Sequence, residues 1–171
     1  RRFNERFGDT LVVPDHKIPE IGARVMDLQE PNRKMSTSVG ADNGRVYLLE
    51  TEKETRKKLG SAVTDSGREV KRGEGKEGVA NLIGIYAVAT GQTEDQVEAE
   101  FDGSGYGDFK KAVANAVVEF LAPVRERYPE IREDEDEIER ILAQGAEKAR
   151  KIASGTLADV RDAMGVGVPR K

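Results

Sequence analysis

The stretch Gly78–Gly91, GVANLIGIYAVATG, carries Val79, Leu82, Ile83 and Tyr86 at spacings of three and four. That is the period of one apolar face on an α-helix. Gly91 stands just past the last periodic residue, where a left-handed glycine ends a helix. From here to the C-terminus the reading stays helical. Thr93-x-x-Gln96 is a capping box opening a helix with Val97 and Phe101. Gly103, Gly105 and Gly107 form a loop, and the next helix is expected to bury Phe109, Val113, Ala116, Val117, Phe120, Leu121 and Val124. Pro123 predicts a kink or break there, since proline lacks the N–H that bonds to the preceding turn. The last helix runs from about Asp134 to Met164, with Ile138, Ile141, Leu142, Ile152, Leu157 and Val160 as its apolar positions and Gly165 as its stop.

Upstream of residue 78 the pattern is broken. Thr10–Val13 reads as a short buried strand ended by Pro14, whose predecessor is held extended. Ala23–Leu28 is a second short strand or buried segment, Glu30-Pro31-Asn32 a turn, and Met35–Gly44 a polar loop. Val46–Leu49 is a third short apolar run, and Thr51-x-x-Glu54 caps a short basic helix through Leu59. The fold expected is mainly α: a short α/β piece to about residue 50, followed by a helical bundle.

Composition narrows the function. The chain has 171 residues, 28 Lys+Arg, 32 Asp+Glu, one His and no Cys. No run approaches the roughly 18 apolar residues of a membrane span, and no cationic segment leads into an apolar one as in a secretory signal. Disulfide scaffolds, thiolate metal sites and multi-histidine zinc sites are excluded, and a reducing cytoplasm is the expected location. The formal net charge is −4, split as +3 over residues 1–76 and −7 over residues 77–171. The first part can face phosphates, whereas the second is a poor general nucleic-acid surface.

Three motifs read as structure rather than chemistry. Gly73-Glu74-Gly75-Lys76-Glu77-Gly78 spells G-x-G-x-x-G, but the charged Arg68–Arg72 before it is no buried strand, and two glutamates would repel a pyrophosphate. The acidic run Glu130–Glu139 lacks calcium-loop spacing and suits a solvated helix entry. His16, between Pro14 and Pro19, has no nearby serine or cysteine nucleophile to make a triad. Arg33-Lys34-Met35-Ser36-Thr37-Ser38 is different. Two cations followed by hydroxyls and Gly40, on a loop with free backbone N–H groups, suit a triphosphate.

Lys34-Met35-Ser36-Thr37-Ser38 resembles the K-M-S-K-S signature of class I aminoacyl-tRNA synthetases, and its surroundings resemble the tryptophanyl family. Ala23-Arg24-Val25-Met26-Asp27-Leu28-Gln29-Glu30-Pro31 leads into it. Arg56-Lys57-Lys58-Leu59, Ser61-Ala62-Val63-Thr64-Asp65-Ser66, Gly78-Val79-Ala80-Asn81-Leu82 and Gly105-Tyr106-Gly107 follow in the family's order. The resemblance extends over essentially the whole chain. It implies the C-terminal part of an enzyme that activates tryptophan with ATP, magnesium being the nucleotide's counter-ion and no protein-bound metal being expected. Transfer to tryptophan tRNA follows, and the full-length protein is expected to be a homodimer.

By the same resemblance, Lys34 is the catalytic residue on the triphosphate, and ATP is bound by Val25, Lys34, Met35, Ser36, Thr37 and Ser38, the backbone of Val25 and Met35 contacting adenine. Thr37 stands where the signature has its second lysine; Arg33, Lys34 or the Thr37 hydroxyl are candidates for its part. Residues 1–50 would be the remnant of the nucleotide-binding domain, with its last strands and signature loop, and residues 51–171 the helical tRNA (anticodon)-binding region. The family's other ATP signature, of H-x-G-H type, is not in this sequence, since His16 is followed by Lys17-Ile18. The chain is therefore expected to be a piece of a longer protein and inactive alone. The alternative is a stand-alone helical module that binds tRNA or a protein without catalysis.

Overall fold

The computed structural model describes residues 1–19 and 21–166. Among them are six α-helices: α1 Arg2–Phe7, α2 Glu52–Gly60, α3 Glu77–Thr90, α4 Glu94–Glu100, α5 Tyr106–Glu133 and α6 Glu135–Met164. A single 3₁₀ turn lies at Asp42–Gly44. The chain divides into two compact units, one of Ile18–Tyr128 and one of residues 1–17 with the chain from Pro129 onward.

The helix ends follow the capping chemistry. In α2 the Thr51 hydroxyl accepts from the Glu54 N–H, and the Glu54 carboxylate accepts from the Thr51 N–H at 2.8 Å. Thr93 and Gln96 repeat the arrangement on α4. Gly91 and Gly165 end α3 and α6 in the left-handed conformation, with φ of 75° and 69°. Helix α5 continues through Pro123 instead of breaking. Glu119, whose carbonyl loses its usual partner because proline has no N–H, is an exposed residue, so that carbonyl is not forced to stay buried and unpaired.

In the unit Ile18–Tyr128 the core forms where α3, α4 and the first part of α5 meet. Leu82 and Ile83, Val97, and Phe109 and Val113 are all buried. Leu28, from the irregular first part of the chain, and Leu59, on α2, enter the same core. The loop before α3 is tied to α4 by one side chain: Arg72 bonds Glu98 at 2.8 Å and Glu94 at 2.6 Å, and also reaches Asp95.

The expected strands are absent among the described residues. Thr10–Val13 has no ladder partner; the Leu11 N–H and C=O pair with the side chain of Asn4, and Val12 is 93% exposed. Ala23–Leu28 contributes only an isolated antiparallel bridge, Met26 opposite Lys34. A β-branched run becomes a strand only beside another extended segment, and Thr10–Val13 has none here. Phe120 and Val124, expected in the core, lie on the exposed side of α5, and no described residue of α6 is buried.

Candidate functional site

The turn Glu30-Pro31-Asn32 folds the chain back so that Arg33–Met35 runs beside Val25–Asp27. The Arg33 N–H bonds the Glu30 carbonyl at 2.8 Å and closes the turn. Two ladder bonds follow, Asp27 N–H to the Arg33 carbonyl at 2.8 Å and Met35 N–H to the Val25 carbonyl at 3.0 Å. In this pattern the backbone groups of the facing pair, Met26 and Lys34, point away from each other. Those of Met26 are taken by one side chain on α3: its N–H donates to Asn81 Oδ1 at 2.8 Å, and its carbonyl accepts from Asn81 Nδ2 at 2.9 Å.

Asp27 holds the turn from inside. Its buried carboxylate accepts from the N–H groups of Gln29 at 2.8 Å and Glu30 at 3.1 Å, and from the Arg33 guanidinium at 3.4 Å. Burial pushes this carboxyl up, but the two backbone donors and Arg33 outweigh it and leave it below its ordinary range. Gly44 packs so tightly here that a Cβ would stand 2.3 Å from Asp27 Oδ1. Arg33 also meets Glu30 at 3.2 Å. Its charge is therefore met within the turn, and of the two adjacent cations only Lys34 is exposed with no ion pair among the described residues.

Beyond Met35 the loop is shaped by a residue that the sequence did not single out. The Arg45 guanidinium donates to the carbonyls of Ser36 at 2.9 Å, Thr37 at 2.6 Å and Gly40 at 3.2 Å. With those carbonyls gathered on one cation, the N–H groups of Ser36 and Thr37 make no bond to a described residue. The hydroxyls of Ser36 and Ser38 lie 3.4 Å apart. Lys34, Thr37 and Ser38 are exposed, Ser36 partly so. Chemically this is one exposed ammonium beside two free amides and a pair of hydroxyls, a set of donors matched to an anionic oxygen cluster.

All six expected ATP residues thus lie on one hairpin and its loop. Val25 and Met26 line a cleft of about 370 Å³ with Arg24, Asn81 and Ile85. Val25 and Met35 also line an apolar groove of about 190 Å³ with Val46, Ile85 and Phe120. The Met35 N–H and Val25 carbonyl are used on each other, and the Val25 N–H and Met35 carbonyl make no backbone bond to a described residue. Asp27, Asn81 and Arg45 were not among the expected site residues. They act by holding backbone, and nothing in the sequence near Arg45 marks it.

The weighed motifs keep structural roles. Gly75 has a φ of 73°, and α3 opens at Glu77 with no strand before it. A Cβ on Gly78 would stand 2.1 Å from the Val63 carbonyl oxygen, so that glycine serves close packing. Glu135, Asp136 and Glu137 lie in the first turn of α6 as expected, whereas Glu130 and Glu133 end α5. His16 is exposed in a loop. Among the described residues no group of three or more His, Cys, Asp or Glu is arranged to hold a metal ion, and no helix is long and apolar enough to cross a membrane.

A family model described as tRNA synthetases class I (W and Y) matches residues 1–122, and the chain belongs to that family. Within it, the similar proteins are tryptophan–tRNA ligases. That of Oceanobacillus iheyensis is 46% identical over 98% of this chain and 51% of its own length; that of Bacillus subtilis is 43% identical over 99% and 52%. Tryptophanyl-tRNA synthetase from Mycoplasma pneumoniae superposes with a TM-score of 0.88 at 28% identity, over 97% of this chain and 50% of that one. The Campylobacter jejuni enzyme complexed with ADP and tryptophan gives 0.61 at 27% identity, over 96% and 50%. The chain spans about half the length of the curated relatives it matches and is similar to their C-terminal portion.

Proposed function

We propose that the chain is the C-terminal portion of a tryptophan–tRNA ligase, and that in the full-length protein Lys34 and the loop Ser36–Ser38 receive the triphosphate of ATP. The arrangement that carries this reading is the sidedness of the loop. Arg45 holds its carbonyls, so the Lys34 ammonium and the free amides of Ser36 and Thr37 are left to meet an anion. In the activation step the tryptophan carboxylate attacks the α-phosphorus and pyrophosphate leaves. Lys34 offsets the negative charge that grows on the departing oxygens, a contribution larger in the transition state than in the bound substrate. The Thr37 hydroxyl and N–H take part of the role of the second signature lysine. The Val25 N–H and Met35 carbonyl are the backbone groups for adenine, and magnesium arrives on the nucleotide phosphates.

In this reading residues 1–50 complete the nucleotide-binding domain, residues 51–171 form the tRNA-binding region, and the full-length cytoplasmic enzyme is a homodimer. The chain by itself is inactive, because its sequence holds only one of the two ATP signatures. In the full-length protein Lys34→Ala should lower the rate of tryptophan-dependent ATP–pyrophosphate exchange by about 10²–10³-fold while tryptophan affinity stays within about twofold. An unchanged exchange rate refutes the role given to Lys34.

A further inference from the structure

A second cleft, of about 400 Å³, lies between α2 and the first turns of α5, with Arg56, Gly60, Gly107, Lys110, Lys111 and Asn115 among its lining residues. Every ionised side chain that lines it is a cation, in a protein whose net charge is −4. Helix geometry places the cations in rows. Lys53, Arg56, Lys57 and Gly60 are spaced i, i+3, i+4, i+7 on α2, and Gly107, Lys110, Lys111 and Ala114 repeat that spacing on α5. The Arg56 guanidinium donates to Asn115 Oδ1 and so sets the distance between the two faces. Two carboxylates stand at the margin, Glu52 at 3.7 Å from Arg56 and Asp108 at 3.2 Å from Lys111. Lys110 has no ion pair among the described residues, although burial works against its charge and lowers its pKa. The two glycines leave the floor open, since a Cβ at either would meet nothing within 4 Å.

We propose that this cleft seats the phosphodiester backbone of an RNA strand, the cations of α2 and α5 following successive phosphates. The assignment rests on the reading that the full-length protein handles tRNA, and it gives that function a location outside the Lys34 loop. A cluster around one anion would bring its cations to a point. Here they run along two helix faces, the layout that meets a polyanion, and no base-specific group other than Asn115 is offered.

The test uses the full-length protein with tRNA as the probe. Lys110→Gln with Lys111→Gln removes two charges near a solvated surface. The double variant should weaken tRNA binding by about tenfold at 0.1 M salt and flatten the slope of log Kd against log salt by about 1.5. Lys110→Arg should retain the wild-type slope, which separates charge from packing. Tryptophan-dependent ATP–pyrophosphate exchange needs no tRNA and should be unchanged in all variants, so a failure of the ligase reading would show there and in the wild type first. An unaltered slope in the double variant, with exchange intact, overturns the assignment. So does saturable binding of inorganic phosphate that depends on Lys110 while the tRNA affinity of the variant equals that of the wild type.

Discussion

Asp27 shows how one side chain fixes the hairpin on which Lys34 sits. Its two backbone bonds and its contact with Arg33 replace water that the buried carboxylate has lost. Asp27→Ala leaves two amides and a guanidinium without their acceptor, and should destabilise the protein by about 3 kcal/mol at neutral pH. The pH dependence has a definite sign. The folded carboxyl titrates below its unfolded value, so its contribution is complete above the unfolded pKa near ~4 and is lost as pH falls through the folded value. Thermal melts of the two proteins should therefore converge as pH is lowered below about 4; a gap independent of pH would mean that charge plays no part. The residue scale is also where the sequence was least transparent. Arg33 and Lys34 are identical in kind on paper, and only the folded turn sends one inward to Asp27 and the other outward. Arg45 acts on carbonyls five to nine residues earlier, a relation that has no trace in spacing.

Among the elements, glycines with the same formula have opposite meanings. Gly78 lets α3 lie against the backbone of Val63, with a missing Cβ at 2.1 Å from the carbonyl oxygen and 3.2 Å from Thr64 Cα. Gly145, inside α6, has nothing within 4 Å of the same position. Gly78→Ala forces backbone apart and should cost about 2 kcal/mol or more, whereas Gly145→Ala should raise stability by about 0.5–1 kcal/mol through helix propensity. Urea titrations followed by far-ultraviolet circular dichroism measure both, and equal effects of the two changes would contradict the packing given to Gly78. Helices were legible because their signals are local: Thr51, Thr93, Gly91 and Gly165 each act within one turn. Strands depend on a partner elsewhere, and Thr10–Val13 has the composition of one without the neighbour that would make it one. At Pro123 the helix does not break, since the effect of a proline on an exposed face depends on whether the deprived carbonyl is accessible to solvent.

At the scale of the whole molecule, burial is concentrated in α3, α4 and the first part of α5, while α6 has no buried described residue. Amide hydrogen exchange should follow that division. The slowest amides should lie at Leu82–Ile83 and Phe109–Val117, and those of α6 should exchange at least ~10²-fold faster, because opening that helix exposes little apolar surface. Uniform protection across the chain would contradict the division. The Asn81 contact with Met26 has a different consequence. Only main-chain atoms of residue 26 are gripped, so a mutational scan can pass through every residue at position 26 except proline, which lacks the N–H, without losing the alignment of the hairpin. Position 81 has no such freedom: aspartate lacks the donor, serine the reach, and leucine any polar atom. The loop that carries Lys34 is thus keyed to helix α3 by a single amide that reads backbone and ignores sequence.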